Sequence, residues 1–465
     1  MSDTHVLKCV DTTLLEFSFT KDFFGTPKVE VVDVNEEADR LMPWGLRPDG
    51  ESLYKWLQVR ALPQNRRFAE ELCRSMGFAP GDVGAIYRVS LGLSLNDSYW
   101  TPSPEDPRLF CEVNLYENGF SSILAAVAYT GHAPGGGSPH GMTPELTTDG
   151  TLHKAWRVGP AGERMLYKGA SNGWDPGEPM SELVASRVAA EAGLNAVPYG
   201  LDEWQGELCS TCDCFCSPSV AYSPFAVATG VRDLGAALGF CWQLGAETVE
   251  SMRDMLVLDC LLMNTDRHFT NFGLLRDVPT GKPVGLGPVF DNGRSLLPML
   301  TTPMLTGAKY QIGTMAPAFG GASFDELARR VMGPRQHEWV SRLTSLDLTE
   351  LGADFEGGPF EEIVTERCAG LQGILRARAR ELAEITPISL GEMAPMLDRA
   401  WEAKGAAADR AGLCPAKPLP SHNRTFSACE KSTRALCASG CCEPTRAVDS
   451  DPVPANTKTE EDPAI

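Results

Sequence analysis

Asn264-Thr-Asp-Arg-His-Phe-Thr-Asn271 and, further on, Phe290-Asp291-Asn292-Gly293 decide how this chain is read. Asp266 and Asn271 sit five positions apart, directly after Ser251 to Met263, a segment apolar nearly all round that reads as a buried supporting helix. A tight loop leaving such a helix can aim the Asp266 carboxylate at an incoming hydroxyl. Five residues on, the amide oxygen of Asn271 can turn back to a magnesium ion. Asp291 leaves the strand-like Pro288-Val-Phe290 and offers a second oxygen ligand. Two protein ligands suit Mg²⁺, a hard ion that keeps several waters and its substrate phosphates. Asp and Asn are also ordinary turn formers, so the spacing alone has little weight. His268, between them, reads as a structural, hydrogen-bonding histidine.

The order of groups upstream supplies the weight. Thr151 to Val158 and Arg164 to Lys168 are strand-like runs around the turn Gly159-Pro-Ala-Gly162, a predicted hairpin ending on Lys168. Ser181 to Gly193 follows as an amphipathic helix stopped by its glycine, with Glu182 in its first turn. Phosphoryl transfer needs an anchored nucleotide, metal to neutralise phosphate charge and one carboxylate to orient the acceptor hydroxyl. Lys168, Glu182, Asp266, Asn271 and Asp291 supply these groups in that order. A short strand is expected at Ala196 to Leu201, and a long helix at Phe360 to Ile385. Strands first and helices later predict an α+β chain of two lobes, a β-rich one over residues 144–225 and a helical one over 226–400.

Residues 1–130 read as an extra N-terminal α/β module: strand and turn at Asp22 to Val34, then helix at Leu53 to Met76 broken near Pro63. Arg60, Arg66 and Arg67 raise the question of a helix-turn-helix, but Cys73 to Gly84 supplies few basic side chains for a recognition helix. A packing or substrate-presenting role is expected instead. Residues 131–143 read as a linker or loop; their glycine cluster carries no Walker lysine, and no G-x-x-x-x-G-K-[ST] occurs in the chain. Residues 405–465, rich in Pro, Ser, Thr and Ala, read as a disordered tail whose cysteines fit no standard zinc spacing. Cys212, Cys214 and Cys216 alternate, so a single strand would carry all three on one face, spread over ~13 Å. That predicts a core strand; on a kinase reading the strand approaches the hinge that holds adenine, with Phe215 near the base.

A formal net charge of −20 over 465 residues argues against nucleic acid as the main partner. A hydrophobic fraction of 43% is ample for real cores. No signal peptide is recognisable, and no window offers the ~18 apolar residues of a membrane span. With 15 thinly spread cysteines, the expectation is a reducing cytoplasm, without membrane attachment.

The run Asn264 to Leu275, with Phe290-Asp-Asn-Gly-Arg-Ser-Leu296, resembles the catalytic and metal loops of the HipA-like serine/threonine kinases of bacterial toxin–antitoxin systems, which have a protein-kinase/phosphoinositide-kinase-like fold. Leu166-Tyr-Lys168 resembles that family's ATP-lysine strand. Ser181-Glu182 through Gly193-Leu, then Val197-Pro-Tyr199, resembles its glutamate-bearing helix and the strand that follows. The likeness covers residues 144–390, and the whole chain is similar to gut-bacterial proteins labelled as HipA-domain proteins or excisionases. It implies ATP and Mg²⁺ as cofactors, Asp266 as general base, Asn271 and Asp291 as metal ligands, and Lys168 on the ATP phosphates, held by Glu182. It implies that Thr147-Thr-Asp-Gly-Thr-Leu-His-Lys154 covers the phosphates, with Thr147, Thr148, Gly150, Thr151 and Lys154 as contacts. The three threonines become candidates for autophosphorylation. The loop departs from G-x-G-x-x-G in holding one glycine. A protein substrate and an antitoxin-type partner also follow from the resemblance. The competing readings are a DNA-binding, excisionase-like regulator, and a kinase fold acting on a lipid or small molecule.

Overall fold

The computed structural model describes residues 3–134, 141–171, 176–319 and 323–410. The tail expected at 405–465 lies outside them beyond residue 410, as does most of the glycine cluster of the 131–143 loop.

The chain is mixed α/β, with antiparallel sheets. β1 (Thr4–Cys9), β2 (Thr12–Lys21), β3 (Pro27–Val34) and the short β4 (Tyr99–Trp100) form a sheet in the order β3-β2-β1-β4. Leu7 pairs with Leu15, and Leu15 and Phe17 share one face, as the period of two requires; Leu14, on the other face, is buried as well. Against them pack α1 (Gly50–Arg60), α2 (Ala69–Ser75), α3 (Val83–Ser90) and, past α4 (Phe110–Val113), α5 (Ser122–Thr130). Asp49 starts α1 by accepting the Ser52 N–H at 2.8 Å, and Asp82 starts α3 through Ala85 N–H at 2.9 Å. The break expected near Pro63 falls over the non-helical residues 61–68.

The second sheet holds β5 (Lys154–Val158), β6 (Arg164–Lys168), β7 (Gly200–Trp204) and β8 (Glu207–Asp213), ordered β5-β6-β8-β7. The predicted hairpin is present, turning at Gly162 with φ +88°. Its glycine satisfies a left-handed backbone that a side chain would strain. Between β6 and β7 runs α6 (Gly177–Ala192), longer than predicted at its start and capped by Gly193 at φ +75°. The strand expected at Ala196 to Leu201 begins only at Gly200; Ala196 makes an isolated parallel bridge to Val289 instead.

β9 (Val220–Pro224), β10 (Gly273–Asp277) and β11 (Pro283–Leu286) form a third sheet, ordered β11-β10-β9. The remaining elements are helices: α7 (Phe225–Thr229), α8 (Leu234–Leu244), α9 (Ala246–Leu262), α10 (Lys309–Thr314), α11 (Phe324–Val331), α12 (Pro334–Leu343), α13 (Thr349–Ala353), α14 (Glu361–Ala383) and α15 (Leu390–Arg410). α9 is the buried axis of the largest core, with Leu256, Leu258, Leu261 and Leu262 fully enclosed by α6, α8, α11, α12 and α14. Among the described residues no helix is long and apolar enough to cross a membrane.

The cysteine run departs from expectation. β8 ends at Asp213, so only Cys209 and Cys212 lie on it. Cys214 still donates its N–H to Arg164 O, while its thiol turns to Leu95 O. Among the described residues no cluster of His, Cys, Asp and Glu is arranged to hold a metal.

The N-terminal residues share cores with the second sheet. Ala125 and Tyr129 of α5 bury against Ala155, Tyr167 and Cys209. Trp100 and Phe110 pack with Trp156 of β5.

Candidate active site

Lys168 ends β6 inside the second sheet, paired across to Lys154 on one side and Ser210 on the other. Its ammonium donates to Glu182 Oε1 at 2.6 Å and also contacts Asp291 Oδ1. One turn into α6, Glu182 is buried and uses its second oxygen to accept the Asn292 N–H at 2.6 Å. One lysine thus joins the sheet, the helix and the segment carrying Asp291. Burial opposes the Lys168 charge, but Asp291 and Glu182 outweigh it and raise the ammonium's pKa. Burial also works against the Asp291 carboxylate; Lys168 and Lys154 overcome it and hold the group well below the usual carboxylate range.

Asp291 has φ +59°, a left-handed backbone uncommon outside glycine and best tolerated by Asn and Asp. Its surroundings hold it there. Arg267 donates from one nitrogen to both Asn271 O and Phe290 O, and from another to Asn292 Oδ1 at 2.7 Å. Its Nε lies 3.0 Å from Asp259 Oδ2, deep in α9. A single guanidinium therefore holds the carbonyls of Asn271 and of Phe290, the residue before Asp291.

The Asp266 loop is tied down through its backbone. Asn264 Oδ1 accepts the Asp266 N–H at 2.9 Å, and the Asn271 side-chain amide donates to Asp266 O at 2.8 Å. That bond fixes which way the Asn271 amide faces and leaves its Oδ1 without a donor among the described residues. No described residue donates to the Asp266 carboxylate, which is half-buried. The donors on offer, one amide oxygen and one ionised carboxylate, are of the hard type that Mg²⁺ takes. His268 is exposed and pairs with Thr270 Oγ1 at 2.8 Å.

The residues of the candidate phosphate loop divide. Lys154 stands beside Lys168 and donates to Asp149 O at 2.7 Å. Burial first, then the Lys168 and Arg66 charges, bring its pKa down to about 8. Gly150 has φ +95°, and a side chain there would collide with Lys154 Nζ. Thr151 is exposed. Thr148 accepts from Trp156 Nε1 at 3.2 Å and donates to Pro144 O. Thr147 is buried, its hydroxyl donating to Leu93 O at 2.6 Å, so it points into the N-terminal part of the chain. Phe215 packs on Tyr222 and Phe290, with ring centroids 5.5 and 5.6 Å apart.

Two residues were not singled out from sequence. Arg267 and Asp259 had a signal, an acid in the apolar last turns of a helix with an arginine eight positions on. Arg66 was read only against a DNA-binding role. It is buried against Glu145 at 2.8 Å and reaches the carbonyls of Glu145, Thr148 and Lys154.

No family model and no curated protein matches the chain. Solved structures do. HipA of Shewanella oneidensis MR-1, in complex with HipB and its operator DNA, is 13% identical, with 86% of this chain and 99% of that one covered at a TM-score of 0.44. The Helicobacter pylori proinflammatory kinase CtkA is 17% identical, with 51% of this chain and 94% of that one covered at a TM-score of 0.36. The residue contacts above carry the functional reading.

Proposed function

We propose that the chain is an ATP- and magnesium-dependent, HipA-like kinase that phosphorylates Ser or Thr of a cytoplasmic protein. The observation behind this reading is the Lys168 ammonium shared between Glu182 and Asp291, with Arg267 tying Asp291 to the Asn271 loop.

In this account Glu182 fixes Lys168 so that its charge meets the ATP phosphates, and Lys154 adds a second cation from the neighbouring strand. Asn271 Oδ1 and the Asp291 carboxylate would hold Mg²⁺, which neutralises charge on the phosphates when bound. Asp266 orients the acceptor hydroxyl and takes its proton as that oxygen bonds to the γ-phosphorus and the bond from the γ-phosphorus to the bridging oxygen breaks, releasing ADP. Residues 144–225 and 226–400 act as the two lobes on either side of the nucleotide. Thr151, exposed on the loop, is the better-placed autophosphorylation candidate; Thr147 is enclosed. An antitoxin-type partner belongs to the proposal through the sequence resemblance.

The DNA-binding alternative finds little support, because Arg60 is paired with Asp97 and Arg66 with Glu145 rather than displayed. Incubation with ATP labelled on its γ-phosphate and with cell lysate, followed by mass spectrometry, tests the acceptor. Label on protein Ser or Thr is expected. Label only on lipid or a small molecule overturns the protein-substrate part, and no label overturns the kinase reading.

A further inference from the structure

Tyr222 lies on β9 opposite Leu275 of β10. Its ring is set edge-on to Phe215 and Phe290, with both centroids 5.5 Å away. Two glycines make room for it: a Cβ on Gly273 would lie 2.7 Å from Tyr222 Cε2, and one on Gly287 would lie 3.3 Å from Cδ2. The residue is 7% exposed, yet its hydroxyl has no hydrogen-bond partner among the described residues. Buried phenols ordinarily find one. Tyr87, Tyr99 and Tyr116 do so here, on the carbonyls of Leu57, Leu41 and Asp97. Tyr129, a second phenol without a partner of this kind, has the Cys209 thiol beside it.

The orphan belongs to the candidate site by position. Phe290, against which it packs, immediately precedes Asp291. Burial chiefly, with Cys216, Asp291 and Asp149 adding to it and Arg267 opposing, keeps the phenol well above its ordinary pKa. It therefore remains a neutral donor, in reach of the fields of both the metal loop and the phosphate loop.

We propose that Tyr222 is a nucleotide contact: its hydroxyl donates a hydrogen bond to an oxygen of the bound nucleotide, on the ribose or the phosphate chain. This rests on the kinase reading of the site. No bond is made or broken in the step; a buried donor that the protein leaves unmatched is matched by the ligand.

The test is Tyr222→Phe, which keeps the ring and removes one atom. Binding of ATP with Mg²⁺ and of adenosine is measured by calorimetry on the full chain, alongside thermal melting without ligand. The variant is expected to melt at or above the wild-type temperature and to bind ATP roughly tenfold more weakly. Equal weakening for adenosine assigns the bond to the ribose; weakening for ATP alone assigns it to the phosphates. Unchanged binding of both ligands overturns the proposal, as does a lowered melting temperature, which would reveal a structural partner. A wild-type protein that binds neither ligand would instead overturn the kinase reading, and this inference with it.

Discussion

Arg267 and Asp259 form an ion pair at 3.0 Å with both side chains almost wholly enclosed, and the same guanidinium reaches the carbonyls on either side of the candidate metal site. Removing one partner of a buried pair strands the other charge, at about 3–5 kcal/mol. Asp259→Asn should therefore lower the unfolding free energy by an amount of that order, read from the denaturation midpoint and slope. Arg267→Met should do the same and weaken Mg²⁺ binding as well. The double variant should cost less than the two singles summed, because neither charge is then left alone. Denaturant melts and metal titrations check this.

Lys168 neutralises two carboxylates at once, which implies competition with the metal. Lys168→Met should cut phosphoryl-transfer kcat by roughly 100-fold or more, as loss of an aimed charge at the reacting group does. It also leaves Glu182 and Asp291 without their cation. Added Mg²⁺ should then raise the melting temperature of the variant more than that of wild type. Parallel melts over a magnesium series measure it.

Lys154 has a pKa near 8 when folded, against ~10.4 in an unfolded chain. Between those values the unfolded chain binds more protons, so the Lys154 contribution to stability becomes more favourable as pH rises through that window. Charge for nucleotide runs the other way. ATP affinity should fall as pH rises through 8, while Lys154→Met should bind weakly and with a flatter pH profile. Calorimetry from pH 7 to 9 decides it.

Arg66 joins the first seventy residues to the phosphate loop through a planar fork. Arg66→Lys keeps the charge but not the fork, so it should raise KM for ATP while leaving kcat nearly unchanged. Deleting residues 1–130 should give an insoluble product, since Ala155, Tyr167 and Cys209 would lose the cover of Ala125 and Tyr129. Steady-state kinetics and soluble expression check the two halves.

Local features were legible from sequence. The β5–β6 hairpin follows from alternation around Gly159-Pro-Ala-Gly162, and the end of α6 from Gly193. Lys168, Glu182 and Asp291 were legible as a set because their order constrains one another more than any single residue does. Long-range partners were not. Arg66 looks like any surface arginine until Glu145, 79 positions away, is seen beside it. The run Ser122–Thr130 is apolar nearly throughout, which does not say which sheet the helix covers. Past the end of β8 at Asp213, the Cys214 thiol meets Leu95 O, 119 positions away, a partner no local pattern announces.

The central claim is that Asp266 serves as base in ATP-dependent phosphoryl transfer. Its carboxylate takes no hydrogen bond from a described residue, so Asp266→Asn should leave the melting temperature within a degree or so of wild type. The most direct measurement is incorporation of the ATP γ-phosphate by wild type and by Asp266→Asn, each with and without Mg²⁺. The account predicts incorporation only by wild type with Mg²⁺. Equal incorporation by the folded variant would contradict it.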